Sequence, residues 1–211
     1  MLKRLVFLSF LSLLTVLCVS AQEYKYEAVA APPAGLPNAY SSAIQEPGAR
    51  VAGPAGPWCE VWAAKSITTT KSGDASIVFG IAQGSFLGVL RFPGKGADRR
   101  GQVIPAGLYT MRYSLFPVDG AHSGVAPQRD FILLTPIAAD PDPSAKPAFE
   151  ELVQWSVKAS GTPHPAVLSI ETPPSGATTP SVVKEGEHDW VLTLKSGDTT
   201  LSIIVVGKVE G

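Results

Sequence analysis

The sequence predicts a mainly β protein, an antiparallel β-sandwich or jelly roll with one covering α-helix, and three observations carry that prediction. Short runs rich in β-branched, aromatic and apolar residues recur from Trp58 onward, separated by Gly, Pro, Asn, Asp and Ser. One run, "GLYTMRYSLF" at 107–116, places Tyr109, Met111, Tyr113 and Leu115 on one face and Thr110, Arg112 and Ser114 on the other. That period of two predicts an antiparallel strand with one face in a core and one in water. Only one later stretch, 144–161, repeats apolar residues at helical spacing.

The first element is not part of the fold. "MLKRLVFLSFLSLLTVLCVSA" has a basic start at Lys3 and Arg4, an apolar run from Leu5 to Val16, and small residues at Val19-Ser20-Ala21. This is the pattern of a secretory signal peptide over residues 1–21. Leu17 stands where a lipoprotein signal carries a small residue, which argues against lipidation at Cys18. Cleavage after Ala21 removes Lys3 and Arg4 and no carboxylate, taking the formal charge from −1 to −3. Such a chain lacks the basic surface that nucleic acid needs. No later run is long and apolar enough to span a membrane. The expectation is a secreted or periplasmic protein of one monomeric domain.

Residues 22–57 hold six prolines among alanine and glycine. Too few large apolar groups are present to offset the entropy of ordering, so this stretch is expected to be an N-terminal arm or linker. The single domain is then 58–211. Its predicted strands are 75–82, 85–92, 107–116, 130–137, 166–171, 189–194 and 199–209, with a Gln83-Gly84 turn between the first two. "KSGD" at Lys71–Asp74 and again at Lys195–Asp198 supplies the glycine that tight hairpins use. In 144–161, Ser144 is the expected N-cap, Glu150 and Glu151 suit the first turn, and Gly161 ends the helix. Cys59 is the one cysteine left after cleavage, so no internal disulfide is available, and its apolar setting predicts burial.

Chemistry is sparser. "VDGAHSGVAPQRDF" at 118–131 makes a connection of about a dozen residues, a length at which loops tend to carry function. Asp119, His122 and Asp130 offer one imidazole and two carboxylates, a ligand mix suited to a divalent metal. Their spacing follows no known ligand motif, and a loop ordered by its own hydrogen bonds explains the same residues. Ser123 lacks a nucleophile elbow, and "FPGKGADRRG" lacks a phosphate-loop pattern. Glu150, Glu151, Glu171 and Glu185 could supply paired carboxylates, with no two singled out. "DPDP" at 140–143 reads as a rigid turn before the helix, or as a weak calcium candidate. Trp58 and Trp62, four apart in a predicted strand, are expected to share a face and raise a carbohydrate-binding alternative.

"VIPAGLYTMRY", 103–113, resembles the P-A-G-x-Y strand entry of an uncharacterised family of exported bacterial β-sandwich proteins. In that family Ala-Gly makes the turn and the tyrosine begins the inward face. The resemblance covers about a dozen residues and implies an exported sandwich, with no catalytic residue. A tryptophan- and asparagine-bearing segment follows the motif in that family; "DGAHSGVAPQRDF" stands in its place here. The sequence therefore points to an exported, non-enzymatic binding or structural module without a cofactor. The alternatives are a metal-binding protein or metal-assisted hydrolase using 118–130, and a carbohydrate-binding module. Partners left open are a protein, a glycan or a small ligand.

Overall fold

The computed structural model describes residues 23–67, 80–116 and 129–208. The chain runs β1 (Lys25–Val29), α1 (Asn38–Ala43), β2 (Gly48–Gly53), β3 (Gly56–Ala63) and β4 (Phe86–Phe92). The short pair β5 (Gly96–Ala97) and β6 (Val103–Ile104) precedes β7 (Gly107–Leu115) and β8 (Asp130–Pro136). After α2 (Phe149–Ser160) come β9 (Val167–Glu171), β10 (Ser181–Glu185), β11 (Asp189–Ser196) and β12 (Thr199–Val206). Ten strands form one antiparallel sheet in the order β1-β2-β3-β4-β7-β8-β9-β12-β11-β10. Its two edges, β1 and β10, lie against each other, so the sheet nearly closes into a barrel. The mainly β, antiparallel expectation holds at that level. The ladders do not divide into two sheets, because β9 pairs with β8 on one side and β12 on the other.

The expected linker is part of the sheet. β1 pairs with β2 along its whole length, β2 pairs with β3, and the expected boundary at 58 falls inside β3. Small residues are what let these strands fit. A Cβ on Gly48 would lie 2.4 Å from the Trp62 indole nitrogen, and one on Gly53 would lie 2.6 Å from the Tyr24 ring. Outside the barrel, Glu60 of β3 bridges Arg50 of β2 at 2.7 Å and Arg91 of β4 at 2.8 Å.

Three apolar layers result. The interior holds Val51, Cys59, Leu90, Met111, Tyr113, Ile132, Leu192 and Ile203, with Cys59 fully buried. Tyr24, Trp58, Phe92 and Trp190 fill one end of it in a chain of edge and tilted ring contacts. Trp58 Nε1 donates to the Val205 carbonyl at 2.8 Å, tying β3 to β12. On the outside, α1 covers Trp62, Phe86 and Val89, and α2 covers Phe131 and Leu133. Trp58 and Trp62 do not share a face as expected. Val51 opposes Cys59 while Ala52 opposes Pro57, so Trp58 is the extra residue of a β-bulge and turns inward.

The helix expected at 144–161 is shorter. α2 starts at Phe149 behind an extended Ala148 with no side-chain cap, and Ser144 serves the preceding loop instead. Gly161 ends it as expected, in the left-handed region with its N–H on the Val157 carbonyl. α1 is a second helix that the sequence reading missed. The expected strand 75–82 and the first KSGD copy fall largely outside the described residues.

Candidate functional site

The outer face of β7 was expected to meet water, yet Thr110, Arg112 and Ser114 are fully buried. Arg112 explains the difference. Its Nε and Nη2 clamp the two oxygens of Asp140, both at 2.7 Å. The remaining N–H groups reach the carbonyls of Asp142 at 2.6 Å, Ala145 at 2.8 Å, Gly84 at 3.1 Å and Pro143 at 3.3 Å. Thr110 Oγ1 donates to Asp140 Oδ2 and Tyr40 Oη to the Asp140 carbonyl, each at 2.6 Å. A buried charge persists only when paired and fully hydrogen-bonded, and this one is both. The "DPDP" turn is therefore a strap that Arg112 pins onto the barrel. Asp142 receives the Ser144 N–H and hydroxyl, each at 2.8 Å, which holds its carboxyl below the usual range.

The strap forms one wall of a cleft of about 440 Å³. Pro143–Lys146 face Ser42 and Ala43 of α1, with Ala64–Ser66 and Ser85-Phe86 between them. The walls are fixed by packing as well as by Arg112. Gly84 abuts the strap so closely that a Cβ there would lie 2.5 Å from the Pro147 carbonyl oxygen. Its volume lies in the range of pockets that take small molecules. A second cavity of about 280 Å³ opens at the barrel end away from Trp58, floored by Ala49, Val61 and Leu194. A third of about 120 Å³ lies beside α2, over Phe131 and Phe149.

Of the three residues expected to hold a metal, Asp119 and His122 lie outside the described residues. Asp130 is fully buried on β8, where Oδ1 accepts from the Tyr113 hydroxyl and Oδ2 has no partner among the described residues. Burial first, and then the Asp130 carboxylate, push the Tyr113 hydroxyl far up, so it stays a donor. Among the described residues no three of His, Cys, Asp and Glu come together as a metal set. The tryptophans raised as sugar platforms are committed elsewhere: Trp62 is fully buried, Trp58 and Trp190 pack on the interior, and Trp155 packs beside α2's apolar face.

Two of the four candidate glutamates do meet. Glu171 at the end of β9 lies close to Glu185 at the end of β10 and to Asp189, which Arg99 clamps at 2.6 Å. Burial, and then the Glu185 carboxyl, raise Glu171 to about 7. The pair is a pH-sensitive clasp between strand ends. A raised carboxyl pKa contributes stability that is fully present below the ordinary value of 4.5 and is lost as pH rises to about 7. Solvent screening leaves on the order of 1 kcal/mol, or about 2–4 °C in melting temperature. Wild type should therefore lose that much between pH 5 and pH 8 relative to Glu171→Gln, followed by thermal melts. Parallel curves for the two proteins contradict the clasp.

The fold and cleft thus define a mainly β protein, with a nearly closed antiparallel sheet and a preformed pocket strapped to its outer face. Comparison of the chain with protein-family models, curated proteins and solved structures found no match.

Proposed function

We propose that the chain is an exported, non-enzymatic binding module that takes a small ligand in the cleft between α1 and the 143–146 strap. The observation that carries this is the Arg112–Asp140 network, which ties the cleft wall to the sheet through the protein's own groups. Preorganised walls reduce the entropy cost of binding. We read the barrel as flattened and sandwich-like, with the three-pair β8–β9 and two-pair β9–β12 ladders as seams between its halves. Export rests on residues 1–21, and the mature protein from a secreting host should begin at Gln22.

The test is a panel of neutral, cationic and anionic fragments against the mature chain, with Ala145→Trp to fill the cleft. A fragment at 100 times its dissociation constant stabilises by about 2.7 kcal/mol. For a protein this size that is a rise of roughly 5–10 °C, which should vanish in Ala145→Trp. Hits that stabilise both proteins alike place the ligand elsewhere.

Metal binding by the 118–130 loop is the second reading, and Asp130 Oδ2, which has no partner among the described residues, favours it. Elemental analysis of dialysed wild type and His122→Ala decides it. Stoichiometric metal lost in the variant supports this reading; no metal in either protein, after zinc, manganese and calcium are supplied, overturns it.

A further inference from the structure

We infer that the cleft takes a small organic anion, a carboxylate or phosphate ester with a compact apolar part. This rests on the reading of the cleft as the binding site. Among the described residues its only titratable lining groups are Lys65 and Lys146, and none of them that lines it is a carboxylate. Among the described residues, the two acids of the strap do not line the cleft: Asp140 is clamped by Arg112, and Asp142 is bonded to Ser144. Lys146 has no ion pair or hydrogen bond among the described residues. Lys65 gives one N–H to the Ser42 carbonyl at 2.7 Å, which leaves two donors.

Ser85 supplies an independent observation. It lines the cleft, is only 4% exposed, and its Oγ has no hydrogen-bond partner among the described residues. Buried hydroxyls without partners are rare and costly, and a ligand oxygen arriving at this point removes the cost. Two ammonium groups with unused donors and one unpartnered hydroxyl all favour an acceptor-rich, negatively charged guest. Ala43, Ala64 and Phe86 form the rest of the wall, which favours a guest with carbon beside its charged group over a bare inorganic ion.

The experiment titrates the mature chain with benzoate, phenyl phosphate, inorganic phosphate and neutral benzyl alcohol, read by backbone amide shifts in NMR. At least one organic anion should bind tenfold or more tighter than both inorganic phosphate and benzyl alcohol, with shifts centred on Ser85 and Lys146. Lys146→Ala and Ser85→Ala should each weaken it about five- to tenfold, and thermal melts check that both variants fold. Benzyl alcohol binding the cleft as well as the anions overturns the anion inference and leaves the binding reading standing. So does any cleft hit from the fragment panel when neither organic anion binds. Anion binding unchanged in both variants also overturns it. If neither these probes nor the fragments bind the cleft, both readings fall.

Discussion

Asp140→Ala should lower the unfolding free energy by about 3–5 kcal/mol, the usual result of leaving one partner of a buried ion pair behind. In a chain of this length that is a fall of roughly 10 °C or more in melting temperature. The reason is local and specific. Arg112 is fully buried, while Asp140 supplies the acceptor for both Arg112 and Thr110. Removing the carboxylate leaves a guanidinium with only carbonyl partners and frees the strap that walls the cleft. Urea denaturation measures the loss. Asp142→Ala is the control, because its carboxylate is exposed and bonds only to Ser144 among the described residues. Its cost should be a small fraction of the Asp140→Ala loss, because an exposed carboxylate leaves no buried charge behind. Arg112→Met combined with Asp140→Ala should lose less than the sum of the single changes, since the double variant buries no unpaired charge.

Gly88→Ala should be of similar size. Leu87 is the extra residue of a second bulge, where Phe86 opposes Arg112 and Gly88 opposes Met111. The bulge turns Leu87 to the interior while Phe86 stays in the outer layer under α1. Gly88 makes this turn at φ +143°, and a Cβ there would lie 2.2 Å from the Trp62 carbonyl oxygen. Backbone gives way far less easily than a side chain, so strain and overpacking add, for about 2–5 kcal/mol. Gly101→Ala separates the two contributions. Its φ is +78° but nothing lies within 4 Å of the added Cβ, so only the conformational cost of about 1–2 kcal/mol should appear. Equal losses at the two glycines would contradict a steric role for the β3 backbone.

The same elements show what the sequence makes legible. Strands β4, β7, β8, β9, β11 and β12 were readable because their apolar residues meet a core directly. Tyr109, Met111 and Tyr113 face inward as the alternation predicts. β1 and β2 were not readable, since β1 is five residues long with lysine, glutamate and alanine among them, and β2 is mostly alanine and glycine, all residues depleted in strands. They are strands because β3 offers an edge and because Trp62 and Tyr24 need small neighbours. A local clue did exist: in "ARV", Ala49 and Val51 point inward while Arg50 points out toward Glu60. β10 was missed for a related reason, being five residues long with two exposed positions behind a proline.

The cleft left less trace. Arg112 and Asp140 are 28 residues apart, and a polar residue in a strand reads as solvent-facing until its partner is known. Strand order is likewise a long-range property, so local pattern supports both a sandwich and a nearly closed barrel. Lys65, Ser85 and Lys146 share no motif; only folding brings them to one cleft. Asp130, which looked like a ligand in a loop, is bound to Tyr113 inside the sheet, a pairing that no spacing rule contains.

The central claim is that the strapped cleft is where this protein meets its ligand. The most direct measurement is an amide-shift map of the mature chain against the mixed fragment panel. The account predicts shifts that cluster on Ala43, Lys65, Ser85 and Lys146 and that disappear in Ala145→Trp. Shifts clustering instead on Ala49, Val61 and Leu194 at the barrel end, or on Phe131 and Phe149 beside α2, would contradict it.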